Sequence, residues 1–304
     1  MRRPSRTGDT TTPEDRDGSN TGSGTSGSQR PGPAHKVNKS GKGIKRNHAR
    51  NAATAAPPPS SPPRAQTQAQ PRRRAPQDPV TAPSSASGGI PTPTSAYLLR
   101  ASFLARPVDQ PRPLLVVIDL NGTMLFRPNK KNPSKFVERP CARQFLEYCI
   151  TTFHVVIWSS ARPENVRSMC ASLISPALHG RLVAIWGRDK FGLTADDYNR
   201  RTQCYKRLTL LWDDPNVAAA HPLGEPWNQG NTVLIDDSAE KARSEPYNAI
   251  TIPEFMGELR ERPEVLPMVH NYLNTLAMQA DLSTYVRAEP FMVHNENLRD
   301  EGFD

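Results

Sequence analysis

The stretch "LLVVIDLNGTMLFRP", Leu114 to Pro128, decides how this chain is read. "LLVVID" is a continuous apolar run closed by one acid, which fits a strand covered on both faces. Asn121-Gly122 follows at once. That pair favours a type I′ turn, so the stretch also fits a β-hairpin. The alternative is a buried strand that delivers Asp119 to a bound group at its carboxyl end. The segments downstream bear on the choice.

Apolar runs recur as "HVVIW" (154–158), "LVAIW" (182–186), "TVLID" (232–236) and "AITI" (249–252). Helical spacing lies between and after them. "RPCARQFLEYCI" (139–150) opens with Pro140, and "RPENVRSMCASLIS" (162–175) with Pro163, residues that suit a first turn. A late helix is expected over 264–280, with Leu266, Val269, Leu273 and Leu276 on one face. This alternation predicts an α/β domain with a doubly wound, mainly parallel sheet. Ligands of such sheets bind at the carboxyl ends of the strands. There the chain offers Asp119, then Ser159-Ser160, then Asp236-Asp237. Taken singly, each has a plain structural reading. The serines could cap a helix, the acid pair could sit at a helix start, and Lys206 in "TQCYKRL" could be solvated. Those readings must all hold at once, in this order and at matching strand ends.

Charge divides the chain. Residues 1–110 hold 17 Lys+Arg and 6 Asp+Glu, a net +11, whereas residues 111–304 hold 22 and 24, a net −2. The first 110 residues also carry 16 of the 31 prolines, and before Ser95 the large apolar residues are only Met1, Val37, Ile44, Val80 and Ile90. Such a segment buries too little surface to offset its ordering entropy. Residues 1–95 are therefore expected to be a disordered basic tail, 96–111 a linker, 112–285 the domain and 286–304 a C-terminal extension. Basic clusters such as "KGIKR" and "PRRR" suit nuclear import or weak nucleic-acid contact, or simply a solvated tail. A nuclear location is the expectation, with cytoplasm or mitochondrion as alternatives. Acids at Asp9, Glu14, Asp15 and Asp17 speak against a mitochondrial presequence. No apolar run is long enough for a membrane span. Cys141, Cys149, Cys170 and Cys204 lack metal-site spacing and read as reduced thiols.

The order Asp119-x-Asn121-Gly122-Thr123, Ser159, Lys206, Asp236-Asp237 resembles the four motifs of the haloacid dehalogenase superfamily. More narrowly, "DLNGTML", "RPCARQFL", "VIWSSA", "CYKRL" and "LIDDSAEKA" resemble the family of carboxy-terminal-domain phosphatases and NLI-interacting-factor-like phosphatases. "PYNAITIPEF" (246–255) is similar to the family's fifth strand with its Asn. The resemblance covers about residues 112–280.

It implies that Asp119 is a nucleophile that forms an aspartyl-phosphate. It implies Mg²⁺ held by Asp119, the Asn121 backbone carbonyl and Asp237, with Asp236 beside them. Ser159 would hydrogen-bond a phosphoryl oxygen and Lys206 would add positive charge. Gly122 would let the loop approach the phosphate, and Thr123 would fix that loop. Asn121 departs from the pattern, because relatives carry an Asp there that protonates the leaving group and activates water. An amide does neither at neutral pH. General acid–base catalysis is worth roughly 10²–10⁴-fold, so turnover should be weakened.

Three functions follow as expectations. The first is a slow phosphatase of phosphoserine or phosphothreonine proteins. The second is a phosphatase-like protein whose pocket holds a phosphopeptide or a protein partner without turnover, and a role like that of the family's mitochondrial translocase presequence receptor belongs here. The third is a nucleic-acid-associated protein led by its tail. The segment between Lys206 and Asp236, "LWDDPNVAAAHPLGEPWNQGN" (211–231), reads as a binding loop or lid, or as a passive insertion.

Overall fold

The apolar runs stand side by side as the strands of one sheet. The computed structural model describes residues 79–129, 132–259 and 265–293. Its strands are β1 (Leu115–Ile118), β2 (Leu125–Phe126), β3 (Val137–Glu138), β4 (His154–Trp158), β5 (Ala184–Trp186), β6 (Thr232–Asp236) and β7 (Ala249–Thr251). Five of them form a parallel sheet of order β5-β4-β1-β6-β7, while β2 and β3 make a separate antiparallel pair. β1 is central, with Val117 opposite Val156 on one side and Leu234 on the other. The helices are α1 (Ser95–Ala101), α2 (Ala142–Thr152), α3 (Pro163–Leu173), α4 (Pro176–His179), α5 (Ala195–Asn199), α6 (Leu208–Trp212), α7 (Pro215–Ala218), α8 (Val265–Ala277) and α9 (Leu282–Ala288).

Alternation along β1 sends side chains to two cores. Val116 and Ile118 share one with Leu146 of α2, Val166 of α3 and Leu273 of α8. Leu115 and Val117 share the other with Trp158, Trp186, Leu211 and Trp227. Both faces of the sheet are thus covered, which is why its strands read as unbroken apolar runs. α3 starts on Pro163 as the sequence implies. α2 starts later than expected, because Cys141 takes a left-handed conformation (φ 64°) at its cap. Arg139, just before it, is 2% exposed. Its guanidinium donates to the carbonyls of Thr123 (2.9 Å) and Pro253 (2.8 Å), tying the loop after β1 to the rest of the domain. The four cysteines are free thiols, and burial pushes the Cys170 thiol up to about 12. Among the described residues no helix is long and apolar enough to cross a membrane.

The expected domain limits move. Of the expected disordered tail, residues 1–78 lie outside the described residues. Residues 79–95 do not conform to it, for they form a strap packed on the domain. Thr81 bridges to the 201–203 segment, its N–H donating to the Arg201 carbonyl (3.0 Å) and its carbonyl accepting from Gln203 N–H (2.8 Å). The Asp197 carboxylate accepts from Ser84 N (2.9 Å), Ser84 Oγ (2.6 Å) and Ser87 Oγ (2.5 Å). Arg207 donates to the carbonyls of Gly88 and Gly89. These bonds are polar, so apolar content offered no sign of them. The expected linker contains all but the first residue of α1, whose Tyr97 donates to Asn248 Oδ1 at 2.9 Å. The expected boundary at 285 falls inside α9.

The bonds from Ser84 and then Ser87 hold the Asp197 carboxyl down at about 2. A depressed pKa contributes stability above the ordinary carboxylate range and loses it as pH falls through the folded value. A chain beginning at residue 96 lacks these strap bonds and is therefore expected to melt below one beginning at 79. Calorimetry should show that gap narrowing between about pH 4 and about pH 2. Equal melting points at neutral pH would mean that the strap adds nothing.

Candidate active site

The carboxyl edge of the sheet gathers the charged residues. Asp119 follows β1, Ser159 follows β4 and Asp236 ends β6, each at most 2% exposed. Lys206 is fully buried beside them. Its Nζ donates to Asp119 Oδ1 at 2.7 Å and to Asp236 Oδ2. Buried charges need such pairing, since an isolated ion in a low dielectric is costly.

Lys241, to which no role was assigned from the motifs, reaches the same cluster. Its Nζ lies 2.9 Å from Asp236 Oδ1, 2.9 Å from Asp237 Oδ1 and 3.6 Å from Asp119 Oδ2. Burial works against its charge, but Asp119, Asp236 and Asp237 outweigh it and hold its pKa above the ordinary lysine range.

The loop after β1 is not a hairpin turning at Asn121-Gly122. It is a tight turn between β1 and β2, and the antiparallel pair forms only beyond it. The N–H groups of Thr123, Met124 and Leu125 all point to the Leu120 carbonyl, and Gly122 N–H donates to the Leu125 carbonyl (2.8 Å). Gly122 has φ +90°, and a Cβ there would lie 2.6 Å from Asp237 Oδ2. Glycine is thus required to bring the loop against the acid pair, whatever it also offers a ligand. Thr123 Oγ1 accepts from Asp237 N–H at 3.1 Å, linking the two loops. Asn121 Oδ1 accepts from Arg127 N–H at 3.0 Å, which fixes how its amide points.

Beside this cluster opens a pocket of about 440 Å³. Asn121 and Ser159 line it, as do Lys241, Arg127, Arg162, Arg188, Arg201 and, from the strap, Val80. No carboxylate is among the described lining residues. Arg188 is committed to structure, because it donates to the carbonyls of Asp197, Tyr198 and Arg200 and so holds the pocket's outer segment together. None of residues 211–231 lines the pocket. Trp227 packs instead on His154, the first residue of β4, at 5.3 Å between ring centroids. It covers the amino-terminal edge of the sheet, away from the acids. The segment is therefore not a lid over this pocket.

Oxygens of Asp119, Asp236 and Asp237 lie within 4.8 Å of one another, a spacing that could hold one metal ion. Three hard carboxylates suit Mg²⁺. Charge points the same way. Three carboxylates against Lys206 and Lys241 leave −1, which repels a phosphate dianion, and one divalent cation turns this to +1. Any such ion competes with Lys241 for the same oxygens.

The family model described as NLI interacting factor-like phosphatase matches residues 114–283. The chain is 31% identical over 216 residues to an uncharacterized FCP1 homology domain-containing protein of Schizosaccharomyces pombe, covering 67% of this chain and 86% of that one. It is 26% identical over 208 residues to a ubiquitin-like domain-containing CTD phosphatase of Arabidopsis thaliana, covering 64% of this chain and 56% of that one. Among solved structures, a haloacid dehalogenase-like hydrolase of Streptococcus pneumoniae matches at 11% identity with a TM-score of 0.33, over 53% of this chain and 98% of that one. The fold assignment rests on strand order, not on that last likeness. With its motifs set at the ends of β1, β4 and β6 and more than half its length matched, the chain belongs to the NLI interacting factor-like phosphatase family.

Proposed function

We propose that this chain is a Mg²⁺-dependent phosphatase of phosphoserine and phosphothreonine proteins, working through Asp119 and slowed by Asn121. The observation that carries the reading is a buried Asp119, paired with Lys206 and adjoining Asp236-Asp237, next to a pocket lined by cations. Phosphoryl transfer demands little beyond positioning and charge stabilisation, and this arrangement supplies both. Mg²⁺ on Asp119, Asp237 and the Asn121 carbonyl, with Asp236 beside them, would offset the charge between a carboxylate and a phosphate dianion.

The chain's own residues set the rest. Asp119 forms a bond to phosphorus as the ester P–O bond breaks. The departing alkoxide takes its proton from solvent, because the Asn121 amide has none to give. Ser159 and Lys206 hold phosphoryl oxygens. Water then attacks phosphorus, the bond to Asp119 breaks, inorganic phosphate leaves and the water's proton passes to solvent. Without a base this second step is slow, so aspartyl-phosphate accumulates when the leaving group needs no proton, as with an aryl ester.

A second reading rests on Asn121 itself. With neither acid nor base, the pocket could retain a phosphoprotein rather than turn it over. Hydrolysis of an aryl phosphate and of a phosphoserine peptide separates the two. The expected result is aryl ester turnover that EDTA removes and Mg²⁺ restores, with the peptide hydrolysed far more slowly. Tight peptide binding with no turnover of either compound would leave the binding protein as the function.

A further inference from the structure

The pocket holds more positive charge than one phosphoryl group uses. Of the cations that line it, Lys241 already faces the carboxylate cluster, and Arg188 is tied to backbone carbonyls. Arg127 is different. It lines the pocket, yet its Nε and Nη1 are buried and have no hydrogen-bond partner. Thr202 lines the same pocket, is 5% exposed, and its buried hydroxyl also lacks a partner. Buried donors without partners are rare in folded proteins, and each is costly to the apo state. A ligand that supplies the acceptors removes that cost. A guanidinium with a hydroxyl is a donor set suited to an anion, and guanidinium takes phosphate or carboxylate in a fixed fork. At about 440 Å³ the pocket is also in the range that holds ligands well larger than one phosphoryl group, roughly 300–1,000 Å³.

Building on the phosphatase reading, we infer that Arg127 and Thr202 form a second anion subsite, and that the substrate is a phosphopeptide carrying another anionic group near the phosphate to be cleaved. The first anion goes to the Asp119 side of the pocket, and the second turns the Arg127 guanidinium toward the cavity. Arg127 is then a specificity-determining residue. Its neighbour in the turn, Asn121, takes the Arg127 backbone N–H and not its side chain, so the guanidinium is left for the ligand.

The test uses the full-length protein and three labelled peptides of one sequence at one ionic strength. The first carries one phosphoserine among neutral neighbours, the second adds a nearby Glu and the third a nearby second phosphoserine. Wild-type protein is expected to bind the third about tenfold more tightly than the first, the worth of one hydrogen bond to a charged group. Arg127→Met should cut that ratio to about twofold or less, and Arg127→Lys, a point charge without the fork, should fall between. The Glu peptide tells whether a carboxylate satisfies the subsite or a phosphate is required. Because the guanidinium nitrogens named above have no internal partner, Arg127→Met should melt no lower than wild type. Equal wild-type affinities, an unchanged ratio in Arg127→Met, or marked destabilisation of both variants would each overturn the subsite. Loss of turnover with the ratio intact overturns only the phosphatase reading, and turnover with no ratio overturns only the subsite.

Discussion

Asn121→Asp is expected to raise turnover of a phosphoserine peptide by roughly 10²-fold or more, the low end of what general acid–base catalysis supplies. A serine alkoxide is a poor leaving group and needs a proton, whereas an aryl oxide hardly does. The peptide therefore gains at both steps, whereas the aryl ester gains only at the second, hydrolysis of the phosphoenzyme that both substrates share. The structure accommodates the change. Asn121 Oδ1 accepts from Arg127 N–H at 3.0 Å, and a carboxylate oxygen in that place accepts the same bond. The other oxygen remains to carry the proton. Steady-state kinetics on both substrates read the result, and the burst of phosphoenzyme expected of the wild type should shrink as water gains its base. If Asn121→Asp leaves an inactive protein inactive, the binding reading takes precedence.

Adding Asp119→Asn to that restored protein should return it to the uncatalysed background and abolish the acid-quenched phosphoenzyme. The fold should survive. Lys206 keeps Asp236 as its buried partner, so no ammonium is left uncompensated, which is the situation that destabilises strongly. A melting curve close to that of the parent separates lost chemistry from lost structure. Persistent turnover in the folded double variant would remove the covalent route.

What the sequence made legible was whatever has a local period. The strands at 154–158 and 232–236 and the helix opening at Pro163 lie where their patterns put them, because unbroken apolar runs are imposed by burial on both faces of the sheet. The residues gathered at the strand ends could be named from their order. The strap could not. Part of its hold on the domain is two serines on Asp197, over a hundred residues away, and small hydroxyls that bond at a distance look like those of a solvated tail. Lys241 was hidden for a related reason, since a lysine five residues after Asp236 reads as surface until the turn brings it back onto three acids. The insertion with Trp227 was open to two readings by composition. Prolines and tryptophans suggest a lid, but only topology shows which edge of the sheet they cover.

The turn that positions Asn121 also governs how that residue ages. Asn-Gly is a dipeptide prone to spontaneous deamidation, in which the glycine nitrogen attacks the asparagine Cγ, ammonia leaves and the cyclic imide opens with water. Here the Gly122 N–H is donated to the Leu125 carbonyl and the Asn121 side-chain oxygen is held by Arg127 N–H, so the folded turn withholds both partners of that reaction. When the imide opens to the normal backbone, Asn121 has become an aspartate, a side chain able to hold and release a proton. If an aspartate at this site is worth roughly 10²-fold, about one molecule in a hundred converted would contribute as much turnover as all the rest. The age of a preparation thus becomes a variable of its chemistry, and two hydrogen bonds in one loop set the pace of the clock.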